Sequence, residues 1–205
     1  MKVCVFLQEN DSFYGIFYLE VFTMNYSKTK KLVLAAMFLA LCLLLPFATM
    51  QIGQLGQTFL PMHLPVLLCG FICGGPWGLA VGFIAPLLRS LLFGMPPLFP
   101  TALAMMFELA AYGLLAGLFY KLLPKKIGYI YVSLAIAMIG GRIVWSAVSF
   151  ALYGIAGTAF TWDMLAAGAL LNAIPGIIIQ IVLIPAIMIA LQLIQKKKRS
   201  QQQTA

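Results

Sequence analysis

The sequence predicts an all-α integral membrane protein with six transmembrane helices and both termini in the cytoplasm. Three observations carry this. The 205 residues are 63% hydrophobic and only 9% charged, with a mean hydropathy of +1.02, far outside the range of soluble domains. Apolar runs of helix length recur along the chain, separated by short turns rich in Gly and Pro. The cations gather in three short runs, Lys28, Lys30 and Lys31, then Lys121, Lys125 and Lys126, then Lys196 to Arg199. Six crossings put all three runs on one side, which the positive-inside rule makes the cytoplasmic one.

The first span covers residues 32–50 and ends in a polar, charge-free external loop, residues 51–58, before Pro61. The second apolar run, 62–74, has 13 residues. At 1.5 Å per residue that is roughly 20 Å, short of a ~30 Å hydrocarbon core. The run therefore stands upright, thins the membrane, or extends into the Gly74-Gly75-Pro76 turn. A third span, 77–93, is closed by Gly94-Met95-Pro96-Pro97, residues that cannot continue a helix. The fourth spans 100–120 and the fifth 129–153, with the Lys121 to Lys126 cations between them. The last segment, 162–195, is longer than one crossing needs, and Pro175 and Pro185 are expected to kink it. The domain division is thus an N-terminal arm at 1–23, a membrane domain at 24–195 and a basic, polar cytoplasmic tail at 196–205. The arm holds Glu9, Asp11 and Glu20 among aromatics and lacks the pattern of a signal peptide. Met24 is a plausible physiological start, because the residues after it form an ordinary basic lead into a first span.

A net charge of +8 does not point to nucleic acid here, because the cations flank apolar segments and serve topology. Cys4, Cys42, Cys69 and Cys73 have neither the spacing of a zinc site nor the setting of a disulfide framework, so packing is their expected role. There is no phosphate-loop sequence and no metalloprotease motif. After residue 23 the only acids are Glu108 and Asp163, too few for carboxylate-based metal catalysis. No cofactor is expected in this chain.

Function is sought in the ionisable groups deep inside apolar segments, Arg89, Glu108 and Arg142, since lipid tolerates these only where protein or water surrounds them. Counted from the external helix ends, these three and Asn172 lie roughly 6 to 21 Å below the outer surface at 1.5 Å per residue. On the fourth helix Thr101, Met105, Glu108 and Tyr112 form one stripe, and on the fifth Arg142, Trp145, Ser146, Ser149 and Tyr153 form another. The two stripes are expected to face each other. The sixth helix adds Asn172 and Gln180 beside the Pro175-Gly176 step.

Glu108 can pair with either arginine as a structural pin. Two cations against one carboxylate leave a positive charge over, which a ligand carboxylate would satisfy through the donor fork of Arg. Trp145 and Tyr112 would wall such a pocket. His63, the only histidine, stands at the external start of the second helix, either at the pocket mouth or simply at the interface. Arg89 either faces the pocket or snorkels to lipid headgroups. The pairs Gly78 with Gly82 and Gly113 with Gly117 permit close helix contact.

Ala36 and Ala40 lie within Leu-Ala-Ala-Met-Phe-Leu-Ala-Leu, behind the basic lead. With that pair, six short-looped spans and cytoplasmic termini, residues 24–199 resemble a substrate-binding S component of an energy-coupling factor (ECF) vitamin transporter. The stretches Met-His-Leu-Pro-Val-Leu-Leu at 62–68 and Arg-Ser-Leu-Leu-Phe-Gly-Met-Pro at 89–96 look like subfamily signatures. The resemblance implies an S-component bundle that captures a vitamin near its outer face through helices four to six, with residues 51–58 as a lid. It places Glu108, Arg142 and Asn172 in the expected helices. It implies that Ala36 and Ala40 dock against a transmembrane coupling subunit driven by two cytoplasmic ATPases, which use the ATP. Among vitamins pantothenate is weakly preferred, for its one carboxylate with hydroxyl and amide groups. Two other readings stay open: a structural or assembly membrane subunit without ligand, and a small lipid-modifying enzyme with Glu108 as acid or base.

Overall fold

The computed structural model describes residues 27–50, 60–124, 126–157 and 174–203. Every regular element among them is helical: α1 (Lys28–Met50), α2 (His63–Cys73), α3 (Gly75–Phe93), a π-helical turn (Leu98–Ala102), α4 (Leu103–Leu122), α5 (Ile127–Ile155) and α6 (Ile174–Gln203). Five of these segments are long and apolar enough to cross a membrane, namely Lys28–Phe47, Gly75–Phe93, Leu98–Leu122, Ile127–Ile155 and Ile174–Ile194. The chain is a multi-pass membrane protein. The first five expected segments agree with helices to within a few residues, because a bilayer demands about 20 apolar residues per crossing and Gly and Pro mark the turns, whereas the start of the sixth, 162–195, lies outside the described residues.

The short apolar run is a helix of 11 residues, roughly 17 Å at 1.5 Å per residue. It does not extend into the turn that follows. Gly74, at φ 100° and ψ 165°, occupies backbone space open essentially to glycine alone, and α3 begins at the next residue. One residue therefore reverses the chain between α2 and α3. At its other end α2 is entered through Leu60, whose φ of 48° turns the chain sharply before His63. Gly94, at φ 68°, closes α3 with a left-handed cap whose N–H donates to the Ser90 carbonyl. The described part of α6 runs unbroken through Pro185. Pro175 is its second residue, next to residues 158–173, which lie outside the described set.

The central helix is α4, packed against α3, α5 and α2; α1 lies across α2 and α3, and α6 rests on α5 and α2. Glycine explains how close α3 and α4 come. A Cβ on Gly113 would fall 2.3 Å from the Gly78 backbone, and one on Gly82 would fall 2.3 Å from the Leu109 carbonyl oxygen. Gly117 meets Gly75 in the same way. Both glycine pairs of the sequence thus lie in one backbone-to-backbone seam, the arrangement small residues allow in a membrane. Gly70 of α2 also abuts the Gly113 carbonyl. Around this seam the core is filled by Val66, Leu67 and Cys69 of α2, Leu109 and Ala116 of α4, Leu134 and Ala137 of α5, and Ile184 and Met188 of α6. At one end Gln192 Nε2 donates to the Tyr120 hydroxyl at 3.2 Å, and the Tyr120 ring meets Phe71 edge to face, so α2, α4 and α6 are joined there.

Gly113→Ala is expected to destabilise the bundle by about 1 to 3 kcal/mol or more, since backbone rather than a flexible side chain must move. Gly128→Ala, with nothing within 4 Å of the new Cβ, is the control. Thermal melting in detergent measures both; equal melting temperatures would contradict the tight seam.

Candidate functional site

Three helices bring their polar groups to one buried place. Glu108 projects from the second turn of α4 and is 2% exposed; Arg142, midway along α5, is 16% exposed and holds Nη1 2.9 Å from Glu108 Oε1. His63, the first residue of α2, is also 2% exposed, with Nε2 3.5 Å from the same oxygen. That distance suits electrostatic attraction better than a hydrogen bond. Tyr112, one turn beyond Glu108 on α4, packs edge to face on the His63 ring with centroids 5.2 Å apart. Its ring also lies against Gly141 of α5, where a Cβ would come within 2.9 Å of it. Glycine beside Arg142 is what lets α5 approach Tyr112.

The cluster has bonding capacity left over. Both ring nitrogens of His63, the Nε and Nη2 of Arg142, and Glu108 Oε1 are buried without a hydrogen-bond partner among the described residues. The ion pair is close but not aligned as a directed hydrogen bond. Buried donors left in this way cost about 1 to 3 kcal/mol each, so native proteins keep few of them, and each calls for a cause such as strain, a catalytic role or a bound water or ion. The Nε2 of Gln180, on α6, is in the same condition.

The facing stripes on α4 and α5 are confirmed at their centre, where Glu108 meets Arg142. Farther along α5, Ser146 donates its hydroxyl to the Arg142 carbonyl at 2.8 Å, a bond within its own helix. Trp145 and Tyr153 are partly buried, and Ser149 is fully so. Asn172 and residues 51–58 lie outside the described residues.

His63 is buried rather than interfacial, because the Tyr112 ring of α4 packs on its imidazole. Residue count gives depth along a helix, but not whether a neighbour covers its end. Arg89 differs too. It is 4% exposed and forms no ion pair with Glu108. Its Nη1 donates to the Leu43 carbonyl of α1 at 3.1 Å, and its guanidinium lies 5.1 and 5.9 Å from the ring centres of Phe47 and Phe93. Arg89 therefore ties α1 to α3, its charge spread over two rings and a carbonyl dipole. The surplus cation of the sequence count is not at the Glu108 site.

No group of three His, Cys, Asp or Glu residues suited to a metal occurs among the described residues. Cys42 Sγ donates to the Met62 carbonyl at 3.7 Å, joining α1 to the start of α2 beside His63.

Comparison with curated proteins and with solved structures gave no match. A family model described as "ECF transporter, substrate-specific component" matches residues 30–188, a stretch that runs from the start of α1 to the middle of α6 and includes Glu108, Arg142, His63 and Arg89. The chain belongs to the family of substrate-specific components of ECF transporters.

Proposed function

We propose that this protein captures a small water-soluble vitamin bearing a carboxylate at the outer side of a bacterial cell membrane. It would pass the vitamin to a transmembrane coupling subunit driven by two ATP-hydrolysing cytoplasmic subunits. The observation that carries the reading is the buried Arg142, Glu108 and His63 cluster with unused hydrogen-bonding groups, in a chain of the ECF substrate-specific family. Such a cluster suits a polar ligand better than a purely structural pin, which would be expected to satisfy its own atoms. Tyr112 and Trp145 would flank the ligand, and Ser146 and Asn172 would extend the polar lining.

Six crossings with both termini cytoplasmic fit the helix order. α2 serves as the short second crossing, and the three cation runs then share one face. His63, the start of α4 and the end of α5 fall together on the opposite, external side. Arg89, engaged with α1, serves the bundle rather than the ligand. Pantothenate remains the preferred vitamin because its carboxylate, amide and hydroxyls match a site with both donors and acceptors.

Titrating the purified protein with pantothenate, biotin, nicotinate, riboflavin and thiamin, while following tryptophan emission, tests the reading. A saturable change with one vitamin is expected, Trp145 being one turn from Arg142. No response to any of them, together with a copurifying lipid product, would favour the enzymatic alternative.

A further inference from the structure

The way Arg142 is held narrows the class of ligand beyond the presence of a carboxylate. A guanidinium is planar, and its Nε–H and nearer Nη2–H lie side by side on one edge, spaced to grip both oxygens of a carboxylate. Glu108 takes the other end, Nη1. The atoms without partners on Arg142 are Nε and Nη2, both of them buried. Glu108 therefore fixes the guanidinium and leaves its carboxylate-matching edge unused.

His63 reaches the same carboxylate from α2. Its Nε2 and Arg142 Nη1 approach one oxygen of Glu108, at 3.5 and 2.9 Å. The imidazole is 98% buried by the same measure that leaves it 2% exposed, and neither ring nitrogen has a hydrogen-bond partner. The Tyr112 ring packs on it edge to face, which restrains its rotation. A neutral imidazole offers one donor and one acceptor, so it matches a hydroxyl, an amide or a carbonyl.

Resting on the vitamin-capture reading above, we infer that the site recognises its ligand at two points. The carboxylate docks on the Nε and Nη2 edge of Arg142, and His63 binds a hydroxyl, amide or carbonyl of the same ligand. Glu108 is the positioning residue that aims the arginine. The substrate class is a small carboxylate that also carries a hydroxyl, amide or carbonyl. A carboxylate at the tip of a plain alkyl chain satisfies only the first point, and an uncharged amide or alcohol only the second.

The test compares pantothenate with its alcohol counterpart panthenol, and with lipoate, whose carboxylate ends an alkyl chain. Titrations use the full-length protein, its Arg142→Lys variant, and His63→Phe and His63→Gln. Pantothenate should bind best, panthenol at least roughly 100-fold more weakly, as expected for loss of a charge-assisted bidentate contact. Arg142→Lys keeps the charge but not the fork, and should weaken pantothenate by a similar factor. His63→Phe keeps a flat ring against Tyr112 and should cost about tenfold or more. His63→Gln, with a donor and an acceptor, should recover much of that loss, and it guards against a His63→Phe protein that fails to fold.

Equal binding of pantothenate and panthenol overturns the first point. Unchanged affinity in His63→Phe, or tighter binding of lipoate, overturns the second. Binding of riboflavin or thiamin alone overturns the inference but leaves vitamin capture standing. No binding by any of these compounds removes both.

Discussion

Replacing Arg142 by alanine abolishes high-affinity ligand binding and leaves the helices assembled. The loss in affinity follows from the position of the guanidinium. It is the cation nearest Glu108, it is largely buried, and two of its nitrogens have no other partner. Truncating one member of a buried, hydrogen-bonded charge pair in a binding site costs about 2 to 5 kcal/mol, which raises Kd by roughly 30-fold to several thousandfold. The fold is a separate matter, because the same substitution leaves the Glu108 carboxylate buried without its cation. Breaking a buried pair in this way can cost about 3 to 5 kcal/mol of stability. Arg142→Ala combined with Glu108→Gln removes that penalty. The double variant should melt closer to the wild type than the single one does, yet bind no better. Titration and thermal melting of both variants in detergent separate the two effects, and wild-type affinity in either variant would remove Arg142 from the site.

The helices were legible in the sequence because the bilayer imposes a length, and Gly and Pro mark the turns. Even the undersized α2 was visible as a short apolar run, since the Gly74-Gly75 reversal is written in residues that few other contexts require. The α3 and α4 seam was legible for a similar reason: Gly78, Gly82, Gly113 and Gly117 have few uses in a membrane helix apart from close approach. Helical periodicity alone led to the expectation that the stripes of Glu108 and Arg142 face each other, while leaving open which arginine pairs with Glu108.

The partners of Arg89 and His63 were not legible, and the reason differs for each. Counting charges treats a cation as satisfied only by an anion. Arg89 instead uses the Leu43 carbonyl and the faces of Phe47 and Phe93. No count of side-chain charges includes a backbone dipole or an aromatic quadrupole. The case for an anionic ligand consequently no longer rests on two cations against one carboxylate. It rests on which atoms of Arg142 are engaged and which are not, a distinction that exists only in three dimensions. His63 was obscure because the first residue of a helix reads as a rim position until its neighbours are known. The ring of Tyr112, lying against Gly141 and over the imidazole, closes that rim.

Leucine at both Ala36 and Ala40 is expected to leave ligand binding and thermal stability unchanged and to stop uptake. Both alanines are exposed on α1, whose buried side is formed by Ala35, Phe38 and Cys42. They lie among the exposed Leu32, Val33, Met37, Leu41 and Leu44, so added methyl groups meet no atom of this bundle. In a bilayer, lipid accepts leucine as readily as alanine, and on lipid grounds alone the substitution is silent. It becomes harmful only if another helix must come close, because small residues four apart are what permit backbone approach in a membrane. The proposed coupling subunit is that helix. Binding within about twofold of wild type, a difference of under ~0.5 kcal/mol, combined with loss of vitamin accumulation in cells carrying the whole transporter, is the expected pair of results. Ile143→Leu, a conservative change at an exposed α5 position, should alter neither. If cells expressing the double leucine variant accumulate vitamin at the normal rate, α1 does not contact the coupling subunit through this strip, and its small residues serve only the lipid.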